Sequence, residues 1–168
     1  MSFEKDGFNF NNWIKFISVS YFFKIGISFI IIYTFSPTEE SLGNQNVDYL
    51  NFSDKFLMVI IVAPIFETLF FQFGVIEILT SLFYKWNFRF KDFILILISS
   101  SAFSLVHIGS IFNVFHGFLS GLILSSIYTY ARLKGLKPFF STALVHFLFN
   151  STIFIVNEYF WITTLFYI

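Results

Sequence analysis

The chain has 168 residues, of which 57% are hydrophobic and 12% are charged, and its formal net charge is zero. An average soluble domain carries about 25% charged residues, so this composition excludes an ordinary soluble protein and indicates an integral membrane protein. The basic residues are dispersed, which argues against a nucleic-acid partner, and the lack of cysteine excludes disulfides, thiolate metal ligands and a cysteine nucleophile.

Five apolar runs approach the roughly 20 residues that a helix needs to cross a bilayer. In chain order they cover residues 16–35, 56–84, 93–112, 114–130 and 138–156. The second run is too long for one perpendicular helix, so we expect it to tilt, to kink at Pro64 or to extend past the membrane. The predicted fold is an all-α polytopic membrane helix bundle, with about five transmembrane helices and a short C-terminal interfacial or partial helix.

We expect a single domain in three parts. Residues 1–55 form an N-terminal tail, the first transmembrane anchor and an acidic outer loop; residues 56–156 form the core bundle; residues 157–168 form a short C-terminal segment. Basic residues lie before the first run and in the second and fourth connections, which by parity share one side of the membrane. The positive-inside rule therefore predicts a cytoplasmic N terminus.

Two features inside the runs predict local packing. Lys24 interrupts the first run, and we expect its flexible side chain to snorkel to the interface. Gly117 and Gly121 in the fourth run form a small-xxx-small pair, which favours close approach of a neighbouring helix.

Polar and ionisable residues recur inside three of the runs. They form the patterns Glu67-Thr68-x-x-x-Gln72, Phe103-x-x-x-His107 and His146-x-x-x-Asn150. Such side chains are costly at bilayer depth and usually mark function, so we expect them to face one another around a hydrated pocket.

The residue types in these patterns suit hydrolysis of an amide bond. A carboxylic acid in a poorly hydrated site becomes a usable general base, and a nearby imidazole can relay its proton. His146 and Asn150, one helical turn apart, offer hydrogen-bond donors to a developing oxyanion. Glu67, His107 and His146 also match a catalytic zinc set, and the residues alone do not choose between the two mechanisms.

Taken together, these motifs resemble the CAAX protease and bacteriocin-processing family of intramembrane peptidases, also called the Abi family. The resemblance covers about residues 56–156 and rests on A-P-I-F-E-T-L-F-F-Q at 63–72, F-S-L-V-H at 103–107, F-x-x-G at 118–121 and S-T-A-L-V-H-F-L-F-N at 141–150. The specific features are the order and spacing of the segments and the A-P-x-x-E lead-in.

The resemblance implies that residues 56–156 are a peptidase-like core in which Glu67 activates water, His107 assists, and His146 and Asn150 stabilise the oxyanion. It favours a glutamate-dependent mechanism that requires no cofactor, with zinc at the Glu and two His residues as the alternative. The implied activity is that of an endopeptidase that cleaves a membrane-associated peptide or protein near the lipid bilayer. We expect its location to be a bacterial inner membrane.

One departure from the family pattern leaves an alternative open. The first motif of the family is usually E-E-x-x-x-R, whereas Thr68 and Gln72 replace the second Glu and the Arg here. We expect these two side chains to form a neutral hydrogen bond and, with Phe103, to support the site. The altered motif also fits a catalytically weak or inactive member that acts as a bacteriocin immunity or scaffold protein. A proton-coupled transporter is a third alternative, which the absence of inverted repeats disfavours.

Overall fold

The computed structural model describes residues 9–35, 50–85, 89–108 and 110–165. Within these residues the chain forms five helices and no strand, in agreement with the predicted all-α class. Their bounds are Phe10–Phe35 (α1), Phe52–Leu82 (α2), Lys91–Ser104 (α3), Ile111–Lys134 (α4) and Pro138–Leu165 (α5). Four of them, all except α3, contain stretches long and apolar enough to cross a membrane. The protein is therefore an integral membrane protein.

The third predicted run does not form one helix. Helix α3 ends at Ser104, and α4 begins after Ser110, whose extended backbone and side-chain oxygen cap the new helix by accepting a hydrogen bond from the Asn113 N–H at 3.1 Å. Serine is a favoured N-cap residue because it satisfies a free N–H of the first turn. The apolar composition of residues 93–112 therefore does not indicate the helix break that the structure shows. His107 lies in the connection between α3 and α4.

Helix α2 is continuous but unevenly wound. Two stretches, Leu57–Val62 and Thr68–Val75, are π-helical and flank a short α-helical segment, Ala63–Glu67, which contains Pro64 in its first turn. Wide π turns often occur at functional sites. Neighbouring helices bind carbonyls within both stretches, since the Asn150 amide donates to Val59 and the Ser99 hydroxyl donates to Phe71.

Helix α1 packs on α4 and α5 through one face of the helix. Two side-chain hydrogen bonds tie it to α5, from Trp13 to Ser141 and between Tyr21 and Thr152, both at 2.7 Å. The buried residues on this face recur every three or four positions: Ile17, Ser20, Lys24, Ser28 and Ile31. The prediction that Lys24 snorkels is wrong, because α4 and α5 cover this face and the side chain is fully buried.

A polar cluster joins the ends of α2, α3 and α4 on the side of the basic connections. Arg132 donates to Thr80 at 3.0 Å and to Asp92 at 3.4 Å, and its guanidinium lies 3.7 Å from Glu77. Tyr128 donates a further hydrogen bond to Glu77 at 2.8 Å. This cluster gives Glu77 a structural partner away from the polar motifs.

The chain termini differ from the expectation in one respect. Helix α5 continues through Leu165, so residues 159–165 extend this helix and do not form a separate one. Residues 1–8 of the expected N-terminal tail and residues 36–49 of the expected acidic loop lie outside the described residues.

Candidate active site

Glu67 and His146 meet between α2 and α5. The Oε2 atom of Glu67 lies 3.5 Å from Nε2 of His146, and the side chains are 25% and 5% exposed, respectively. This separation is long for a direct hydrogen bond, but it is short enough for one water molecule to bond to both groups. The predicted convergence of this carboxylate and this imidazole is therefore present in the fold.

The second ring nitrogen of His146 is buried and has no hydrogen-bond partner among the described residues. A neutral imidazole carries one donor and one acceptor nitrogen, and a buried polar atom left unpaired costs about 1–3 kcal/mol. The ring thus keeps unused hydrogen-bonding capacity next to the carboxylate.

His107 lies close to this pair but is held by α3. Its Nδ1 is 2.9 Å from the carbonyl oxygen of Phe103. A carbonyl can only accept, so Nδ1 carries the hydrogen and Nε2 of the neutral ring is an acceptor. Among the residues that the structure describes, no hydrogen bond or ion pair joins His107 to Glu67.

Phe103 packs against both imidazoles. Its buried ring has centroid distances of 4.6 Å to His107 and 6.0 Å to His146, and it packs edge-on against Phe71 at 5.6 Å. Phe103, which the sequence places among the supporting residues, therefore contacts both histidine rings of the site.

Gly117 of α4 makes room for His107. A Cβ atom at this position would lie 3.1 Å from both Cβ and Cγ of the histidine. One turn further, a Cβ at Gly121 would lie 2.9 Å from the Cα of Ser100. The close packing predicted from the small-xxx-small pair is confirmed, because both glycines allow α3 and its connection to approach α4.

Asn150 lies one turn after His146 on α5, as predicted, but its amide has a structural contact. Its Nδ2 donates to the carbonyl of Val59 at 3.0 Å, inside the first π stretch of α2. An amide group has two N–H donors, so this bond uses one and leaves one. No sequence pattern indicates this contact, because hydropathy does not predict the π winding of α2.

Thr68 and Gln72 are fully buried on α2. The hydroxyl of Thr68 and both polar atoms of Gln72 have no hydrogen-bond partner among the described residues. The predicted hydrogen bond between these side chains is therefore wrong. That prediction assumed α-helical spacing, whereas Thr68 begins the second π stretch.

Lys24 is the residue near the site that sequence reasoning missed. It donates a hydrogen bond to the hydroxyl of Ser120, and its ammonium lies 4.0 Å from the centroid of the Phe149 ring. A signal was available in Ser20 and Ser28, four residues before and after, because a small polar face is more typical of a buried interface than of a lipid-facing one.

The three residues of the predicted zinc set do not form a metal-binding cluster. In the described part of the chain, no group of three or more His, Asp or Glu side chains is arranged to hold a metal ion. Glu67 and His146 are paired, whereas His107 binds the Phe103 carbonyl. The Glu67–His146 pair offers a carboxylate and an imidazole to one bound water molecule, which is the kind of contact a general base requires.

Comparisons with known proteins identify the family. A family model described as Rce1-like, type II CAAX prenyl endopeptidase, matches residues 51–152, which is more than half of the chain. This range contains every motif residue described above and excludes α1. No match was found among curated proteins or among solved structures. The chain, with its peptidase motifs carried on apolar helices, belongs to the Rce1-like family of type II CAAX prenyl endopeptidases.

Proposed function

We propose that the protein is an intramembrane endopeptidase that hydrolyses a peptide bond of a membrane-associated substrate with a water molecule activated by Glu67. The observation that carries the proposal is the 3.5 Å contact between Glu67 and His146. It joins a partly exposed carboxylate to a buried imidazole from another helix, in a chain that belongs to a protease family.

The proposed reaction assigns one step to each of the motif side chains. Glu67 takes a proton from the bound water while the water oxygen attacks the substrate carbonyl carbon, and His107 assists through its acceptor nitrogen. The resulting oxyanion accepts hydrogen bonds from His146 and from the second amide N–H of Asn150. The carbon–nitrogen bond then breaks, and Glu67 returns its proton to the leaving amine.

A groove beside His107 gives an apolar substrate segment a place to lie. It has a volume of about 620 Å³ and is lined by Ser104, Ile108, Ser110, Ile111, Val114, Phe115 and Phe118. The family name specifies prenylated CAAX peptides, and this mostly apolar lining fits an apolar chain near the imidazole. We therefore take a farnesylated CAAX peptide as the first substrate to test.

The test uses the full chain in proteoliposomes with a fluorogenic farnesylated CAAX peptide. We expect Glu67→Gln and His146→Ala each to reduce cleavage by about 100-fold or more, because a general base contributes about 10²–10⁴-fold and an oxyanion donor about 10²–10³-fold. Glu77→Gln is the matched control, since this carboxylate is on the same helix but bonds to Tyr128. Circular dichroism must show normal helix content in each variant.

Three outcomes would change the proposal. Full cleavage by a folded Glu67→Gln variant refutes the assigned base. Loss of activity in a chelator, with recovery on adding zinc, replaces the metal-free mechanism with a zinc one. An immunity or scaffold function gains support if the wild type cleaves no membrane peptide but its protective effect in cells survives both active-site substitutions.

A further inference from the structure

The amino group of Lys24 lies inside the bundle, where a positive charge requires a balancing anion. It is fully buried, and its ammonium contacts the neutral hydroxyl of Ser120 and the ring of Phe149. Among the described residues, no carboxylate lies within 4 Å of it. Hydroxyl and aromatic groups can solvate an ammonium, but they do not balance its charge, and an uncompensated buried charge is strongly destabilising.

The amino-acid sequence leaves few candidates for the balancing charge. The five apolar runs contain one Lys or Arg, which is Lys24, and two acidic residues, Glu67 and Glu77. Glu77 has Arg132 and Tyr128 as partners at the end of the bundle. Glu67 has only the imidazole of His146 as a close ionisable partner in the described part of the chain. By elimination, Glu67 is the anion that remains for Lys24.

The fold brings these two charges to the same part of α5. His146 contacts Glu67, and Phe149, three residues later, contacts Lys24. Four ionisable side chains lie within electrostatic range of Lys24: Glu67 on α2, His107 in the α3–α4 connection, His116 on α4 and His146 on α5. Glu67 is the one acid in this set.

We propose that Lys24 is the counter-ion of Glu67 and a positioning residue for the peptidase, holding the carboxylate charged and in place between α2 and α5. The catalytic part of this inference rests on the proposed function, whereas the pairing of the charges does not. Helix α1 lies outside residues 51–152, so the ammonium comes from a part of the chain that the family model does not cover.

A stability cycle tests the charge pairing without any activity measurement. The full-length protein in detergent is unfolded as wild type, Lys24→Met, Glu67→Gln and the double variant. Each single change leaves one buried charge unpaired, so we expect both to lower the unfolding midpoint and the double variant to recover much of the loss. Lys15→Met is the matched control, because this exposed lysine of the same helix should act additively with Glu67→Gln. Additive effects of Lys24→Met and Glu67→Gln would overturn the pairing.

Kinetics then test the positioning role. We expect Lys24→Met to lower kcat for the farnesylated peptide by about tenfold or more while KM stays within about twofold, and Lys24→Arg to restore part of kcat. An unchanged kcat in Lys24→Met would overturn the positioning role even if the charges are coupled. If Glu67→Gln itself keeps full activity, the proposed function fails, and the stability cycle still decides whether the two charges are paired.

Discussion

Replacing Gly121 with alanine should separate α3 from α4. An added Cβ would lie 2.9 Å from the Cα of Ser100, 3.2 Å from its carbonyl oxygen and 3.2 Å from the Cβ of Phe103. Carbon atoms in favourable contact are about 3.5–4.0 Å apart. The closest atom belongs to the backbone, so no side-chain rotation relieves the overlap, and α3 must move by roughly 0.5–1 Å.

The size of the effect follows from a comparison with Gly26. A Cβ at Gly26 of α1 meets no atom within 4 Å. Both substitutions gain the same helix propensity, about 0.5–1 kcal/mol for alanine over glycine, but Gly121→Ala also carries an overpacking cost of about 1–3 kcal/mol. The difference between the two variants isolates the packing cost, and we expect Gly121→Ala to be less stable than Gly26→Ala by about 1–3 kcal/mol.

The assay is reversible unfolding of the purified full chain in detergent, followed by circular dichroism. Cleavage should fall in the same variant, because α3 carries Phe103 and leads directly into His107. Equal stability of Gly121→Ala and Gly26→Ala would refute the close α3–α4 contact and with it the placement of His107.

Two further predictions concern the site and the orientation of the chain. Gly117→Ala would place a Cβ 3.1 Å from two atoms of the His107 side chain, which can shift by a few tenths of an ångström. We therefore expect cleavage to fall about three- to tenfold with little loss of stability. An unchanged kcat would contradict the assisting role of this histidine. The lack of cysteine allows labelling of single cysteines without background. Asp54 and Lys134 are both exposed and therefore suit labelling with a membrane-impermeant maleimide. If the N terminus is cytoplasmic, the maleimide should label Asp54→Cys in intact cells and Lys134→Cys only after permeabilisation. The reverse pattern would show the opposite orientation in the membrane.

The family and the main ionisable pair could be predicted from the amino-acid sequence. Hydropathy identifies which stretches enter the membrane, and ionisable residues there are costly enough to indicate function. Glu67 and His146 could thus be selected before any coordinates, together with the family that the family model confirms. Their contact at 3.5 Å agrees with the predicted shared pocket.

Which helix faces meet, and how the backbone of α2 is wound, depends on the packing of the folded chain. In a membrane bundle, lipid-facing and protein-facing surfaces are both largely apolar, so mean hydropathy does not show which way Lys24 points; only the small polar residues Ser20 and Ser28 indicate its buried face. Hydropathy also does not reveal the break between α3 and α4 or the π stretches of α2. These features change the hydrogen bonding of the backbone and not the composition of the chain. The carbonyl of Val59 that binds Asn150 is therefore a product of helix packing, and only the folded chain reveals it.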